Sequence, residues 1–304
     1  MAWDYGLFTG GLGAHYGLER LGATVIPASG GNSERQVMLI QDLGVTVWMG
    51  APSLCLDMLD AAERLGVDLR QTRLRLGIFG AEPWSEGVRA KIEQRTGIRA
   101  YDLYGLAEVI GPGVSSECEA HCGLHIFEDH FYPEIVDPET LQPLPGEARG
   151  ELVLTTLTKQ GMPLIRFRTR DVTRLYRAPC RCGRTTCRMA RVFGRTDEVL
   201  VVRGVSVLPA QIETLLLGVE GTRPHCQIVV GRQSGGEDME VRVEVAARVF
   251  GGAPTERLAL ERRVRDRLEN ALGLRVRVSL LEPGALEHAT PRPARVIDRR
   301  GEMR

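Results

Sequence analysis

Residues 74–108, LRLGIFGAEPWSEGVRAKIEQRTGIRAYDLYGLAE, decide the fold. Leu74–Phe79 is an apolar run of strand length. Ser85–Arg95 then has the length of a helix and stops at Gly97, the residue type that closes helices in the left-handed conformation. Ala100–Leu103 reads as a second strand. Strand, helix and strand describe parallel strands covered by a helix. The pattern extends upstream. Val45–Met49 is apolar and β-branched, and Pro52 opens a helix to Leu65 with Leu54, Met58, Leu59 and Ala62 on one face. Glu34–Leu43 is amphipathic and helical, Ala23–Pro27 reads as a short strand, and Gly17–Gly22 reads as the end of a helix.

After Tyr104 the character changes. Ile126–Val136, Gly150–Thr158, Leu164–Arg168 and Val172–Tyr176 read as strands separated by turn residues, and Pro138, Pro143, Pro145 and Gly146 mark a loop. This predicts a small β subdomain over about 115–193. A third pattern follows: strands at Val199–Val202, Cys226–Gly231, Glu240–Ala247 and Arg275–Leu281, with helices at Pro209–Leu217 and Leu258–Leu272. That is a compact α+β domain. The charged stretch Gly194–Glu198 interrupts two apolar segments, so the expected domains are 1–194 and 195–304.

The chain has 304 residues, roughly two domains' worth at ~150 residues each. Its 39 Lys and Arg balance 39 Asp and Glu, which leaves no bulk electrostatic footprint for nucleic acid. No apolar run approaches the ~20 residues of a membrane helix. MAWDYGLFTGG at the start has neither the basic nor the apolar region of a secretory signal. The expectation is a cytoplasmic protein without nucleic-acid or membrane partners, whose seven cysteines are thiols or metal ligands rather than a disulfide framework. Because the first residues run into a glycine-rich stretch with no leading element, the chain is expected to begin inside a larger domain.

Four short motifs carry chemistry. Tyr104-Gly105-Leu106-Ala107-Glu108 follows a strand directly, which places a carboxylate at the C-terminal edge of a parallel sheet, where such sheets bind ligands. The bland alternative is a turn with a surface glutamate. Gly80-Ala81-Glu82-Pro83 also ends a strand, and its glycine permits close approach of a flat ligand, although an ordinary strand-to-helix turn looks the same. In Arg166-Phe167-Arg168-Thr169-Arg170-Asp171 the aspartate can accept both hydroxyls of a ribose, or the charges can pair across a sheet. Gly194-Arg195-Thr196-Asp197-Glu198 falls on the expected boundary. Its arginine suits a phosphate and its aspartate a hinge.

Taken in order and spacing, these motifs resemble the adenylate-forming superfamily of acyl-CoA synthetases, luciferases and nonribosomal adenylation domains. YGLFTGGLGAHYGLERLGATVIP, GIFGAEPWSE, LYGLAEVIGPGV, GLHIFEDHFYPEI, PLIRFRTRD, GRTDEVLVVRGVSVLP and RVIDRR narrow the resemblance to phenylacetate–CoA ligases, over essentially the whole chain. The resemblance implies an α/β fold: the remnant of the large adenylate-forming N-terminal domain, with parallel sheet and β subdomain, followed by a small mobile α+β domain. It implies ATP, Mg²⁺ and coenzyme A as cofactors and an aryl acid such as phenylacetate as substrate, in phenylacetate catabolism. ATP would activate the acid as an acyl-adenylate, and CoA would then displace AMP.

Carried over residue by residue, Glu108 resembles the Mg²⁺-linked glutamate. Glu82, Pro83, Asp102, Tyr104 and Gly105 resemble the nucleotide wall, Asp171 the ribose-binding aspartate, Arg195 a nucleotide-contacting arginine and Asp197 the hinge. Gly204 resembles a glycine near the pantetheine tunnel. Phe8, Gly10, Gly11, Ile110 and Gly111 are expected acyl-pocket walls. Two departures stand out. The family's Ser/Thr/Gly-rich phosphate loop, which cradles phosphates with backbone N–H groups, is expected upstream of the first residue. Counting back from Val296-Ile297-Asp298 puts Arg292 where the family has a catalytic lysine. The expected partners are small molecules, with a homodimer or a complementing N-terminal fragment as further partners. The competing readings are a non-catalytic nucleotide- or CoA-binding paralogue and an adenylylating synthetase for a deazaflavin cofactor.

Cysteine and histidine cluster twice in the β region. Cys118, His121, Cys122 and His125 lie together, as do Cys180, Cys182 and Cys187. A C-x-C pair with a distant C-x₆-H supplies four-coordinate Zn²⁺ with three sulfurs and one nitrogen, and some members of the resembled family carry a structural site of this kind. The expected ligands are Cys118, His125, Cys180 and Cys182, with Cys122 or Cys187 as substitutes. The bland reading is reduced thiols.

Overall fold

The computed structural model describes residues 1–5, 9–233, 236–286 and 295–300. The chain divides into two compact units, Met1–Val192 and Phe193–Arg304.

In the first unit, α1 (Thr9–Arg20) and α2 (Ser33–Asp42) precede β1 (Val47–Gly50), α3 (Pro52–Arg64), β2 (Leu76–Phe79), α4 (Glu86–Thr96) and β3 (Arg99–Leu106). The helix ends are set by local chemistry. Asn32 Oδ1 accepts from Arg35 N at 2.8 Å and caps α2. Pro52 stands in the first turn of α3, where its missing N–H costs nothing. Ser85 Oγ accepts from Val88 N at the start of α4, and Gly97 closes it at φ 74°. β1, β2 and β3 pair in parallel, with Met49 opposite Ile78 and Ile78 opposite Tyr101.

The sheet then changes sense. The remaining strands of this unit are β4 (Gly111–Glu117), β5 (Leu124–Ile126), β6 (Phe131–Val136), β7 (Gly150–Thr156), β8 (Phe167–Thr173), β9 (Leu175–Tyr176) and β10 (Arg188–Met189). β3, β4, β5, β10 and β9 are antiparallel neighbours in that order and extend the parallel strands into a seven-stranded sheet. β6, β7 and β8 form a separate antiparallel sheet. The stretch expected as one β subdomain is therefore shared between two sheets. Val114, Leu124, Ile126 and Met189 from the first meet Phe131, Ile135, Leu152 and Leu154 from the second in one core cluster. Burying each such side chain contributes ~1.5–3 kcal/mol relative to exposure.

Four strand expectations differ from the structure, the first being Val172–Tyr176, which divides at Arg174 between β8 and β9. Residues 23–27 have no strand assignment, and Ile26 O accepts instead from the Met1 amino group at 3.2 Å. Ile126–Val136 is broken by a turn between β5 and β6. The strand expected over Leu164–Arg168 begins at Phe167 and runs on to Thr173, because Arg166 has φ 50° and bends the chain before the ladder with β7 starts.

The second unit holds β11 (Gly194–Arg195), β12 (Leu200–Val202), β13 (Val205–Val207), α5 (Pro209–Leu217), β14 (Thr222–Gln233), β15 (Gly236–Val245), α6 (Ala247–Phe250), α7 (Pro254–Leu272), β16 (Arg277–Leu281) and β17 (Val296–Asp298). Its sheet runs β16-β15-β14-β17, with an antiparallel central pair and parallel outer strands. β15 alternates, burying Met239, Val241, Val243 and Val245, and α7 buries Leu260, Val264, Leu268 and Leu272 at four-residue spacing. These faces close one core with Ile212 and Leu216 of α5. Among the described residues no helix is long and apolar enough to cross a membrane.

Candidate functional site

The C-terminal end of β3 gathers several of the expected residues. The Tyr104 phenol donates to Asp171 Oδ2 at 2.6 Å, which brings the first and third motifs together. Asp171 is buried in β8, and its own N–H donates to Thr169 Oγ1. Gly105 lies so close to β4 that a Cβ there would fall 1.9 Å from Gly111 O. The β3–β4 connection carries Glu108 and Ile110, both exposed, and Lys159 Nζ donates to Glu108 O at 2.7 Å. α1, which opens with Thr9-Gly10-Gly11, packs against β4. Gly10 and Gly11 are buried, and a Cβ on Gly11 would fall 2.2 Å from Asp4 O.

Three non-glycine residues of the second and third motifs have left-handed backbone: Ala81 at φ 73° beside Glu82, Arg166 at φ 50°, and Arg170 at φ 67° beside Asp171. Such conformations cost about 1–3 kcal/mol each and persist where the surroundings over-determine them.

Glu82 and Asp102 are engaged by protein groups. Glu82 accepts from Ser53 N at 2.6 Å and from Ser53 Oγ at 2.9 Å, so its carboxylate sits at the N-terminus of α3, where negative charge is favoured. Pro83 is half-buried beside it. Asp102 pairs with Arg191 Nε at 3.2 Å. Burial pushes its carboxyl up to about 6, against the pull of Arg191. Its N–H donates to Glu117 Oε2, and Glu117 also receives Arg89 Nη2 at 2.6 Å. The Arg89 and Arg191 guanidinium groups lie 4.8 and 5.1 Å from the Trp84 ring centroid. Sequence reasoning missed this network. Arg89, Glu117 and Arg191 belong to three distant stretches, and no local spacing links them.

In the second unit Arg195 and Asp197 form a two-point pair, with Nε–Oδ1 at 3.0 Å and Nη2–Oδ2 at 2.9 Å. Gly204 follows Arg203 at the tip of the β12–β13 hairpin. Their φ values of 51° and 77° make the two-residue turn that suits a twisted hairpin, with open space around Gly204. Phe8 and Arg292 lie outside the described residues.

Cys118, His125, Cys180 and Cys182 converge: one ligand atom from each lies within 4.8 Å of all the others. The spacings fit a single tetrahedral zinc. Two sulfurs about 2.3 Å from such an ion stand about 3.7 Å apart, and a sulfur and an imidazole nitrogen about 3.6 Å. Cys118 Sγ and Cys180 Sγ are 3.7 Å apart, and Cys182 Sγ and His125 Nε2 are 3.6 Å apart. His125 Nδ1 bonds Thr186 Oγ1 at 2.9 Å, which orients the ring and leaves Nε2 facing the sulfurs. The knuckle is shaped by Gly183 at φ 89°, whose N–H donates to Cys180 O. The Cys182 backbone N–H draws the Cys180 thiol down to about 6, while burial pushes Cys118 up to about 11. Cys187 packs in the apolar core between the sheets, away from the ligand role considered for it.

The family model "AMP-binding enzyme" matches residues 1–158, and "AMP-binding enzyme C-terminal domain" matches residues 204–300. The phenylacetate-coenzyme A ligase of Aromatoleum evansii is 48% identical over 303 residues, covering 99% of this chain and 68% of that protein. The enzyme of the same name from Escherichia coli (strain K12) is 45% identical over 302 residues, covering 99% and 68%. The crystal structure of 2-hydroxyisobutyryl-CoA ligase in its postadenylation state, in complex with R3-HIB-AMP, superposes with a TM-score of 0.87 at 28% identity, covering 98% of this chain and 64% of that one. The chain thus spans about two-thirds of the length of its relatives. With both family models matched and the curated relatives aligned nearly end to end with it, this chain belongs to the phenylacetate–CoA ligase family of AMP-binding, adenylate-forming enzymes.

Proposed function

We propose that these residues serve an AMP-forming ligase that joins an aryl-acetic acid to coenzyme A. In the first step the carboxylate attacks the α-phosphate of ATP, giving acyl-adenylate and pyrophosphate. In the second the CoA thiol attacks the acyl carbon, giving thioester and AMP. Such chemistry needs positioning and charge neutralisation more than covalent help. The observation that carries the reading is the Tyr104–Asp171 contact at the end of β3 in a chain of this family. Asp171 accepts the ribose hydroxyls and the Tyr104 phenol fixes its carboxylate. The exposed Glu108 is the carboxylate that would hold Mg²⁺, which neutralises phosphate charge when bound. Arg195 exchanges Asp197 for the nucleotide in one conformation, and the open tip at Gly204 leaves room for a pantetheine arm. Gly10, Gly11, Ile110 and Gly111 wall the acyl side.

The Cys118–His125–Cys180–Cys182 group is read as a structural Zn²⁺ site. All four positions are protein ligands, so none is open to substrate.

Two assays test the ligase reading. One follows ATP- and phenylacetate-dependent pyrophosphate release by the purified chain. The other supplies preformed phenylacetyl-adenylate and CoA and follows thioester. Pyrophosphate release establishes the complete ligase. Thioester without pyrophosphate confines the chain to the second half-reaction. A folded chain inert in both assays overturns the reading for this polypeptide.

A further inference from the structure

Cys122 is the thiol that the four-ligand group leaves over. Its Sγ lies 3.3 Å from Cys180 Sγ, closer than the 3.7 Å between Cys118 and Cys180. Two sulfurs on one tetrahedral zinc stand about 3.7 Å apart, so Cys122 is a neighbour of the ligand Cys180 rather than a fellow ligand. Arg188 keeps it there. Its Nη1 donates to Cys122 O at 2.6 Å and to Cys122 Sγ at 3.0 Å, and its Nη2 donates to Ala178 O at 3.0 Å. Arg188 is itself buried, so this clamp is part of the packed structure. On its other side Cys122 lines a cavity of about 460 Å³ with Glu117, His121, Tyr176 and Arg188. Cys118 and Cys180 are buried, whereas Cys122 is partly exposed. A sulfur of the four-ligand group is thus in contact with a second sulfur that lines a cavity wide enough for a small oxidant.

We propose that Cys122 and Cys180 form an oxidisable pair that releases the structural zinc when a peroxide enters this cavity. The inference rests on the zinc reading above. The Cys122 sulfur, which lines the cavity, attacks one peroxide oxygen. The O–O bond breaks, the departing oxygen leaves as water with the Cys122 proton, and Cys122 becomes a sulfenic acid. The Cys180 thiolate sulfur then attacks the Cys122 sulfur. An S–S bond forms, the S–O bond breaks, and hydroxide leaves. One thiolate, one thiol and one hydrogen peroxide become one disulfide, one water and one hydroxide, a two-electron oxidation of the sulfurs. Cys180 can no longer ligate, and the three remaining ligands release the ion. A dithiol reductant restores both sulfurs and the site.

The zinc-loaded chain is treated with equimolar hydrogen peroxide while a chromophoric chelator reports free zinc. The crosslink is then located by mass spectrometry of non-reduced peptides, with Cys122→Ser and Cys187→Ser in parallel. The expected results are one zinc per chain in all three proteins and a Cys122–Cys180 crosslink in wild type and Cys187→Ser. Zinc release should keep pace with that crosslink and reverse with dithiothreitol and added zinc. In Cys122→Ser release should be at least tenfold slower. A crosslink from Cys180 to Cys118 or Cys182 overturns the proposal, as does zinc release without any crosslink, or loss of zinc stoichiometry in Cys122→Ser. A chain that takes up no zinc overturns the release step together with the zinc reading, and the crosslink map still decides whether Cys122 and Cys180 pair.

Discussion

The Tyr104 phenol reaches Asp171 across 67 residues of sequence and ties the end of β3 to the middle of β8 at 2.6 Å. A hydrogen bond to a charged group contributes about 1.5–3 kcal/mol. Tyr104→Phe keeps the ring and removes the donor. AMP binding, measured by titration calorimetry, is expected to weaken about tenfold, equivalent to ~1.4 kcal/mol. Asp171→Asn should weaken it further. Unchanged affinity in both variants would sink the ribose assignment.

Asp102 gives a pH-dependent signature. Its carboxyl is raised to about 6 by burial, from an ordinary value of 3.8. Its contribution to stability is therefore complete below the unfolded value and is lost as pH rises through the folded one. Relative to Asp102→Asn, the wild-type chain should lose stability between about pH 4 and 6, with the difference level above pH 7. Urea midpoints of the two proteins across that range check it. A pH-independent difference would contradict the burial argument.

The zinc reading predicts separate effects for a ligand and its support. His125→Ala should abolish stoichiometric zinc and lower the melting temperature of the chain by about 10 °C. Thr186→Val removes the partner of His125 Nδ1 but no ligand. It should retain zinc with an affinity about tenfold lower, read by competition with a chelator. Equal zinc content and melting temperature in wild type and His125→Ala would remove the metal from the account.

Glycine positions differ in what they tolerate. At Gly105 an added Cβ meets the Gly111 carbonyl, whereas at Gly231 in β14 it meets nothing within 4 Å. Gly105→Ala should cost at least about 3 kcal/mol or yield insoluble protein. Gly231→Ala should be neutral or stabilise by up to about 1 kcal/mol. Expression yield and denaturant midpoints separate them.

Much of this was legible in the sequence where structure is local. Pro52, Ser85 and Gly97 act within a turn of their own positions, so helix ends could be read from them. Tyr104 and Asp171 stand in two of the quoted motifs, and the four Cys and His residues that converge lie in the two clusters visible in the sequence. What escaped depends on distant partners. Nothing in a three-residue strand such as Leu124–Ile126 says that it pairs with Gly111–Glu117 on one side and Arg188–Met189 on the other. Likewise nothing in the sequence links Glu82 to Ser53, 29 residues earlier, whose N–H and hydroxyl each reach one of its carboxylate oxygens.

That double contact from Ser53 changes what a mutant at Glu82 reports. Replacing the side chain frees the first turn of α3 as well as altering the Gly80–Pro83 turn, so a drop in turnover there conflates a loosened scaffold with a weakened grip on substrate. Only catalytic measurements normalised to the fraction of chain still folded can assign the lesion. The companion change Ser53→Ala, which removes the hydroxyl contact and keeps the backbone N–H one, shows how much of the lesion comes from the Ser53 side chain.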